Sequence, residues 1–115
     1  MVNSVYIPER GDLVWLNFSP QSGHEQAGPR PALVMSPKNY HKLTGLGVVC
    51  PITSKQKGRV FELALPASSS IRGVILVDQV RNVDFSSRNT HFVEKIDLET
   101  LQEAQAYLSS LLCES

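Results

Sequence analysis

The feature that most constrains the fold is a series of short apolar segments separated by turns rich in glycine, proline and serine. Segments of this length with many β-branched and aromatic residues predict β-strands. The predicted strands are Asp12–Phe18, Pro31–Met35, Leu46–Thr53, Val60–Leu65 and Gly73–Val77, followed by residues 78–84 and Thr90–Ile96. One or two helical turns are expected at residues 37–44, with Ser36 as the N-cap. The chain is therefore predicted to be mainly β.

The last segment of the chain predicts one amphipathic helix over residues 98–113. Asp97 is expected to cap its N-terminus, and Glu99 in the first turn suits the helix dipole. Apolar residues then recur at helical spacing, among them Leu98, Leu101 and Leu112. Several short strands followed by one helix favour a small, partly open β-barrel that the helix closes.

Length and composition predict a single soluble domain over residues 1–115. No segment is apolar over the length of a membrane span, and the first residues do not resemble a signal peptide. Cys50 and Cys113 lack the spacing of a zinc site or a disulfide framework. We therefore expect a reduced, cytoplasmic setting, with no cofactor and no membrane partner.

Charge is distributed unevenly along the chain, although the net charge is zero. Residues 26–61 contain no acidic side chain, whereas nearly all charged residues in 94–115 are acidic. The basic residues of the first region are Arg30, Lys38, Lys42, Lys55, Lys57 and Arg59. This asymmetry predicts one basic face suited to the phosphates of a polyanion.

Residues 23–31, with the sequence GHEQAGPRP, contain the densest group of side chains that could take part in a reaction. They join the first two predicted strands and contain an imidazole (His24), a carboxylate (Glu25) and a guanidinium (Arg30). Glycine and proline fix unusual backbone conformations, and loops on a rigid scaffold often carry function. The alternative is a hairpin connection with a salt bridge. Outside this stretch, we expect His41 and His91 on the surface and Trp15 and Phe18 in the core.

Several motifs, in this order and spacing, resemble the MazF/PemK family of toxin endoribonucleases, nearest to its MazF and ChpB-like members. The motifs are Gly11-Asp12-Leu13-Val14-Trp15, Gly23-His24-Glu25-Gln26-Ala27-Gly28, Arg30-Pro31-Ala32, Ser36-Pro37, Pro51-Ile52-Thr53, Lys57-Gly58, Gly73-Val74 and Asp78-Gln79-Val80-Arg81. The resemblance implies an SH3-like, partly open barrel of the MazF/PemK/CcdB type. It also implies a homodimer, a MazE-like antitoxin partner, and metal-independent cleavage of single-stranded RNA at short sequences.

The resemblance also implies roles for individual residues. The catalytic arginine of the family corresponds to Arg30 and its catalytic hydroxyl to Thr53, while Glu25 and His24 correspond to candidate proton-transfer positions. RNA contacts are expected from Lys55, Gln56, Lys57, Asp78 and Gln79. PemK-type members have an arginine two residues before the aspartate that matches Asp78, but this chain has Leu76 there. That departure favours the MazF-type pair of Arg30 and Thr53.

Two other functions remain open on the same fold. A gyrase poison would act without catalysis through a C-terminal tail that includes tryptophan, whereas this tail is Leu111-Leu112-Cys113-Glu114-Ser115. An SH3-like peptide-binding module would need an aromatic groove, and aromatic residues make up only 7% of the chain. Both functions are therefore less favoured than RNA cleavage.

Overall fold

The structure, a computed structural model, describes residues 5–18 and 28–114. These described residues contain seven strands, two α-helices and two 3₁₀ turns. The strands are β1 (Asp12–Asn17), β2 (Pro29–Val34), β3 (Leu46–Thr53), β4 (Glu62–Ala64), β5 (Val74–Leu76), β6 (Arg81–Asp84) and β7 (His91–Lys95). The helices are α1 (Lys38–Thr44) and α2 (Leu98–Cys113), and the 3₁₀ turns are Val77–Gln79 and Phe85–Arg88. The predicted mainly β architecture with a C-terminal helix is confirmed.

The strands form one antiparallel sheet in the order β4-β5-β3-β2-β1-β7, with β6 also paired to β3. Strand β3 changes partner along one edge: Val49 pairs with Arg81 of β6, and Ile52 pairs with Ile75 of β5. Pro51, which has no N–H to donate, lies in the interval between the two pairings. Because the order begins at β4 and ends at β7 within the described residues, the barrel stays partly open.

Two apolar clusters fill the two sides of the sheet. One lies under α2 and includes Leu13, Ile75 and Ala104, and the other includes Val14 and Phe18. Strand β1 therefore contributes side chains to both clusters, which explains its nearly continuous apolar sequence. The prediction that β1 is buried on both faces holds for its first half, but Trp15 is 40% exposed. Trp15 lies two residues beyond Leu13 on the same face, where the sheet borders an open cleft.

Helix α2 has the predicted bounds, and Asp97 caps it by accepting hydrogen bonds from the Thr100 N–H and hydroxyl, each at 3.0 Å. Its buried face agrees with the predicted one in the middle of the helix, where Leu101 and Leu108 pack against the core cluster that contains Ala104. Thr100 and Ala104 are buried, whereas Leu98 is 66% exposed. Leu112 is also exposed, so the predicted apolar face is wrong only at the two ends of the helix.

Two predicted strands are corrected by the structure. The segment predicted as a strand at 78–84 begins with the 3₁₀ turn, and its strand is limited to β6. The fourth strand is shorter than predicted. It begins at Glu62, because Val60 belongs to an exposed loop over residues 54–60 and Phe61 has a positive φ. No helix in the described ranges has the length and apolar character needed to cross a membrane.

His41 is buried rather than on the surface, with 1% of its area exposed. Its Nδ1 lies 2.6 Å from the Pro8 carbonyl oxygen, and its Nε2 lies 2.6 Å from the Ser36 hydroxyl. Ser36 also accepts a hydrogen bond from the Val48 N–H at 2.8 Å. Ser36 therefore holds α1 against β3 through its side chain, and the N-cap position of α1 is Pro37. A buried imidazole is tolerated here because both ring nitrogens have partners.

Candidate active site

A cleft of about 480 Å³ opens where β2 and β3 stop pairing. The last pair of these strands is Ala32 with Pro51. Extending this antiparallel register two residues further brings Arg30 opposite Thr53, and both residues line the cleft. Pro31 contributes no N–H to the gap, which favours the separation of the strands. The register of the sheet thus brings two residues, far apart in the sequence, to one site.

Arg30 lies in β2, where its neighbour across the sheet is Leu16 of β1. The side chain is partly buried, and this burial lowers the pKa of the guanidinium. An arginine nonetheless stays charged at any pH at which the protein folds. Proline on each side, at positions 29 and 31, restricts the backbone that carries it. Arg30 therefore offers a permanent, positioned cation at the cleft.

Thr53 ends β3, where it pairs with Val74 at the start of β5. Its hydroxyl oxygen accepts a hydrogen bond from the Lys55 N–H at 3.2 Å, so the hydroxyl proton can be donated to another group. The close approach of β5 depends on Gly73, whose φ is +127°. A Cβ at this position would lie 2.1 Å from the Thr53 carbonyl oxygen, so only glycine fits.

One wall of the cleft is basic. Besides Arg30, the cations that line it are Lys55, Lys57, Arg59 and Arg72. Gln79, in the 3₁₀ turn after β5, also lines the cleft. Among the predicted RNA contacts, the structure therefore brings together Lys55, Lys57 and Gln79. Gln56 and Asp78 are exposed but do not line the cleft.

Apolar residues also line the cleft, and they correct the predicted placement of Trp15. Trp15 was expected in the core but lines the cleft beside Pro31, its cross-strand partner, and close to Pro29. Its neighbour on the other side is His91 of β7. Phe18, by contrast, is fully buried as predicted. The cleft is thus lined by an aromatic ring and two prolines as well as by cations.

His24 and Glu25 lie outside the described residues. The described chain stops at Phe18 and resumes at Gly28, whose carbonyl oxygen accepts a hydrogen bond from the Phe18 N–H at 2.9 Å. Phe18 and Gly28 therefore lie side by side, and Gly28 is two residues before Arg30 in the sequence. The positions of the His24 and Glu25 side chains stay predictions.

Besides Trp15, sequence reasoning missed two charged residues of the site. Arg72 lies in the loop before β5, and no periodic pattern distinguishes it from other exposed arginines. Glu62 lines the cleft from the first residue of β4, and its carboxylate binds the basic loop over residues 54–60. A signal for Glu62 was present, because it is the first acid after the long acid-free segment.

Comparison with known proteins gives a consistent result. Residues 9–112 match the family described as PemK-like, MazF-like toxin of type II toxin-antitoxin system. Over 109 residues the chain is 38% identical to the endoribonuclease toxin MazF of Escherichia coli K12, covering 95% of this chain and 97% of that protein.

Two crystal structures from Deinococcus radiodurans are also similar. MazF superposes with a TM-score of 0.90 at 48% identity, covering 94% of this chain and 98% of the other. A MazE-MazF complex gives a TM-score of 0.85 at 45% identity, covering 96% and 100%. The similarity thus extends over nearly the whole chain, including the strands that form the cleft.

Proposed function

This chain belongs to the family of PemK-like, MazF-like toxins of type II toxin–antitoxin systems, and on that premise we propose that it is an endoribonuclease that cleaves single-stranded RNA in the cleft. The observation that carries the proposal is the placement of Arg30 and Thr53 at one basic cleft. RNA is the polyanion that this cleft suits, because its single-stranded form presents both phosphates and unstacked bases. Cleavage of messenger RNA would stop translation and growth.

The proposed reaction uses the 2′-hydroxyl of the RNA itself. This oxygen loses its proton to a base and attacks the adjacent phosphorus, and the bond from phosphorus to the 5′-oxygen breaks. The leaving 5′-oxygen takes up a proton. The products are one fragment with a 2′,3′-cyclic phosphate and one with a 5′-hydroxyl. The enzyme then has to transfer protons, stabilise charge on the phosphoryl group and align the RNA. Side chains perform all three steps without a metal ion.

Arg30 stabilises the charge that grows on the phosphoryl oxygens. A guanidinium can make two parallel hydrogen bonds to phosphate, and in a partly buried cleft such bonds are stronger than in water. Thr53 donates its hydroxyl proton to the same group, since its oxygen already accepts from Lys55. His24 and Glu25, close to Arg30 in the sequence, are proposed to exchange protons with the 2′- and 5′-oxygens.

The cations and the apolar residues of the cleft orient the RNA. Phosphates face Lys55, Lys57, Arg59 and Arg72, while a base stacks on the wall formed by Trp15 and Pro31. Gln79 is proposed to read a base edge through its amide. Gln56 and Asp78 would contact only RNA that extends beyond the cleft.

The proposal includes the partners that the family implies. A MazE-like antitoxin would occupy the basic cleft with acidic and apolar residues and exclude RNA. The toxin would act as a homodimer in the cytoplasm. The crystal structures of MazE-MazF complexes support an antitoxin of this kind, because their MazF chains share the fold of this chain.

A long single-stranded RNA, incubated with the purified protein in excess chelator, tests the function. We expect cuts at a short recurring sequence, with a 2′,3′-cyclic phosphate on the upstream fragment. The Arg30→Ala protein, purified in the same way, controls for contaminating ribonuclease. Uncut RNA, or cuts that leave 5′-phosphates, would contradict the proposal.

A further inference from the structure

The basic loop, defined as residues 54–60, carries Lys55, Lys57 and Arg59 to the cleft. All seven of its residues are exposed, so it buries little apolar surface that could hold it in place. Its three cations also repel one another. A loop of this kind requires specific anchors if its cations are to lie at fixed positions along an RNA backbone.

Glu62 supplies the principal anchor. Its Oε1 accepts hydrogen bonds from the Lys57 N–H at 3.2 Å and the Gly58 N–H at 3.0 Å, and its Oε2 lies 3.3 Å from the Lys57 nitrogen. The Glu62 N–H also donates to the Arg59 carbonyl at 3.3 Å. One residue therefore binds three consecutive residues of the loop.

The backbone around this anchor is built to present those donors. Gly58 has a φ of +71°, and successive N–H groups next to such a left-handed residue converge on an anion. Phe61, beside Glu62, has a φ of +72°, which is strained for a residue with a side chain. Its carbonyl accepts from the Val77 N–H at 3.2 Å, and its ring packs edge-to-face on Tyr107 of α2. These contacts keep the end of the loop fixed despite the strain.

The partners of the Glu62 carboxylate are backbone N–H groups. Within the described residues, no ion pair joins its carboxylate to a cation of the cleft. The positive charges of the loop therefore stay available for phosphates. A carboxylate used in this way places cations in the cleft without neutralising them.

We propose that Glu62 is a positioning residue for RNA binding, which fixes the basic loop over the cleft through the Lys57 and Gly58 N–H groups. This inference rests on the proposed function, because its kinetic consequence requires an RNA substrate. Loss of the carboxylate frees the loop and weakens RNA binding. The rate at which bound RNA is cleaved changes little, because Arg30 and Thr53 lie in strands and not in the basic loop.

The test compares Glu62→Ala and Glu62→Gln with Glu103→Ala, which removes the same charge from an exposed site on α2 away from the cleft. KM and kcat are measured on a short RNA that contains one mapped cut. Exchange of the Lys57 and Gly58 amide protons is measured without RNA. Glu62→Ala is expected to raise KM roughly tenfold, to leave kcat within about threefold, and to speed exchange of both amides. Glu62→Gln keeps one acceptor oxygen and should lie between wild type and Glu62→Ala.

A different role for Glu62 gives different results. If its charge only repels phosphate, both variants lower KM, which overturns the proposal. A KM that stays at the Glu103→Ala value, or a loss confined to kcat, also overturns it. If the wild-type protein cleaves no RNA, the proposed function fails, and amide exchange alone decides whether Glu62 holds the loop. Unchanged exchange in Glu62→Ala would then refute the anchor itself.

Discussion

At the scale of single residues, two side chains of the cleft are in unfavourable environments: the cation Arg30 is partly buried, and the apolar ring of Trp15 is partly exposed. Arg30 is partly buried, and the resulting desolvation lowers its pKa, yet the guanidinium cannot lose its proton under folding conditions. In the proposed mechanism, a bound RNA phosphate offsets part of the cost of burying that cation. Trp15 lines the cleft with two prolines and is 40% exposed, and the proposed stacking of a base would cover this exposed surface.

Replacing Arg30 tests its role in stabilising the transition state. Arg30→Ala should lower the cleavage rate on the order of 10²-fold or more. Arg30→Lys keeps the charge but loses the two-pronged geometry, so its loss should be smaller. Single-turnover rates, with circular dichroism as the check on folding, measure both. A folded Arg30→Ala protein that cleaves at the wild-type rate would refute the assignment.

Trp15 is the single tryptophan of the chain, so intrinsic fluorescence reports on it alone. Binding of an uncleavable oligonucleotide should change its emission if a base stacks on the ring. Stacking of a base on an aromatic side chain contributes about 1–3 kcal/mol. Trp15→Ala should therefore weaken binding by roughly tenfold or more, and Trp15→Phe by less. Unchanged fluorescence together with unchanged affinity of Trp15→Ala would exclude the stacking wall.

At the scale of elements, the site depends on where strands start and stop pairing. The separation of β2 from β3 after Ala32 and Pro51 opens the cleft, and the pairing of Thr53 with Val74 fixes its far side. Helix α2 covers one apolar cluster of the sheet and supplies Tyr107, on which the residue after the basic loop packs. Two substitutions probe these element contacts without touching a cleft cation.

Gly73→Ala should force β5 away from the end of β3, because the new Cβ would lie 2.1 Å from the Thr53 carbonyl oxygen. Gly45→Ala is the matched control, since Gly45 also has a positive φ but no atom within 4 Å of a Cβ. We expect the control to lose about 1 kcal/mol of unfolding free energy from backbone strain alone. Gly73→Ala should lose more and should also cleave more slowly. Equal losses in urea unfolding would show that the contact with Thr53 is unimportant.

Asp97→Ala should remove the N-cap of α2 and cost about 1 kcal/mol of unfolding free energy at pH 7. Hydrogen bonds from the Thr100 hydroxyl and N–H lower the pKa of the Asp97 carboxyl. A carboxyl whose pKa is lowered by folding stabilises the fold above its unfolded value of about 3.9, and this contribution disappears as pH falls through the folded value. The difference between wild type and Asp97→Ala in urea unfolding should therefore shrink at pH ~3. Asp97→Asn keeps an acceptor that does not titrate. A difference that is constant with pH would contradict the cap.

At the scale of the whole molecule, local sequence patterns predicted where the helices and strands lie better than they predicted which residues pack against one another. Helix α2 and its Asp97 cap followed from spacing, and β3 followed from its apolar run. The exposure of Trp15 did not, because it depends on which part of the sheet lies beside the cleft. The burial of His41 depends on Pro8 and Ser36, which its own segment does not reveal.

Prediction of the site residues was also limited by contacts between distant segments. Arg30 is a candidate from the chemistry of its own stretch, whereas Thr53 was identified only through the resemblance to a known family, and the sheet register supplies a physical reason for their proximity. Arg72 and Glu62 escaped notice because their importance arises from the path of the basic loop and of the chain before β5. A loop path depends on individual hydrogen bonds, which no periodicity encodes.

The measurement that tests the central claim most directly compares two short RNAs that differ only at the mapped cut. One has ribose throughout, and the other has a single 2′-deoxyribose immediately upstream of the cut phosphate. The wild-type protein should cleave the first to a 2′,3′-cyclic phosphate. It should bind the second with similar affinity without cleaving it, because the attacking oxygen is missing. Cleavage of the deoxy substrate at a comparable rate would mean that another nucleophile attacks the phosphate and would contradict the mechanism assigned to this cleft.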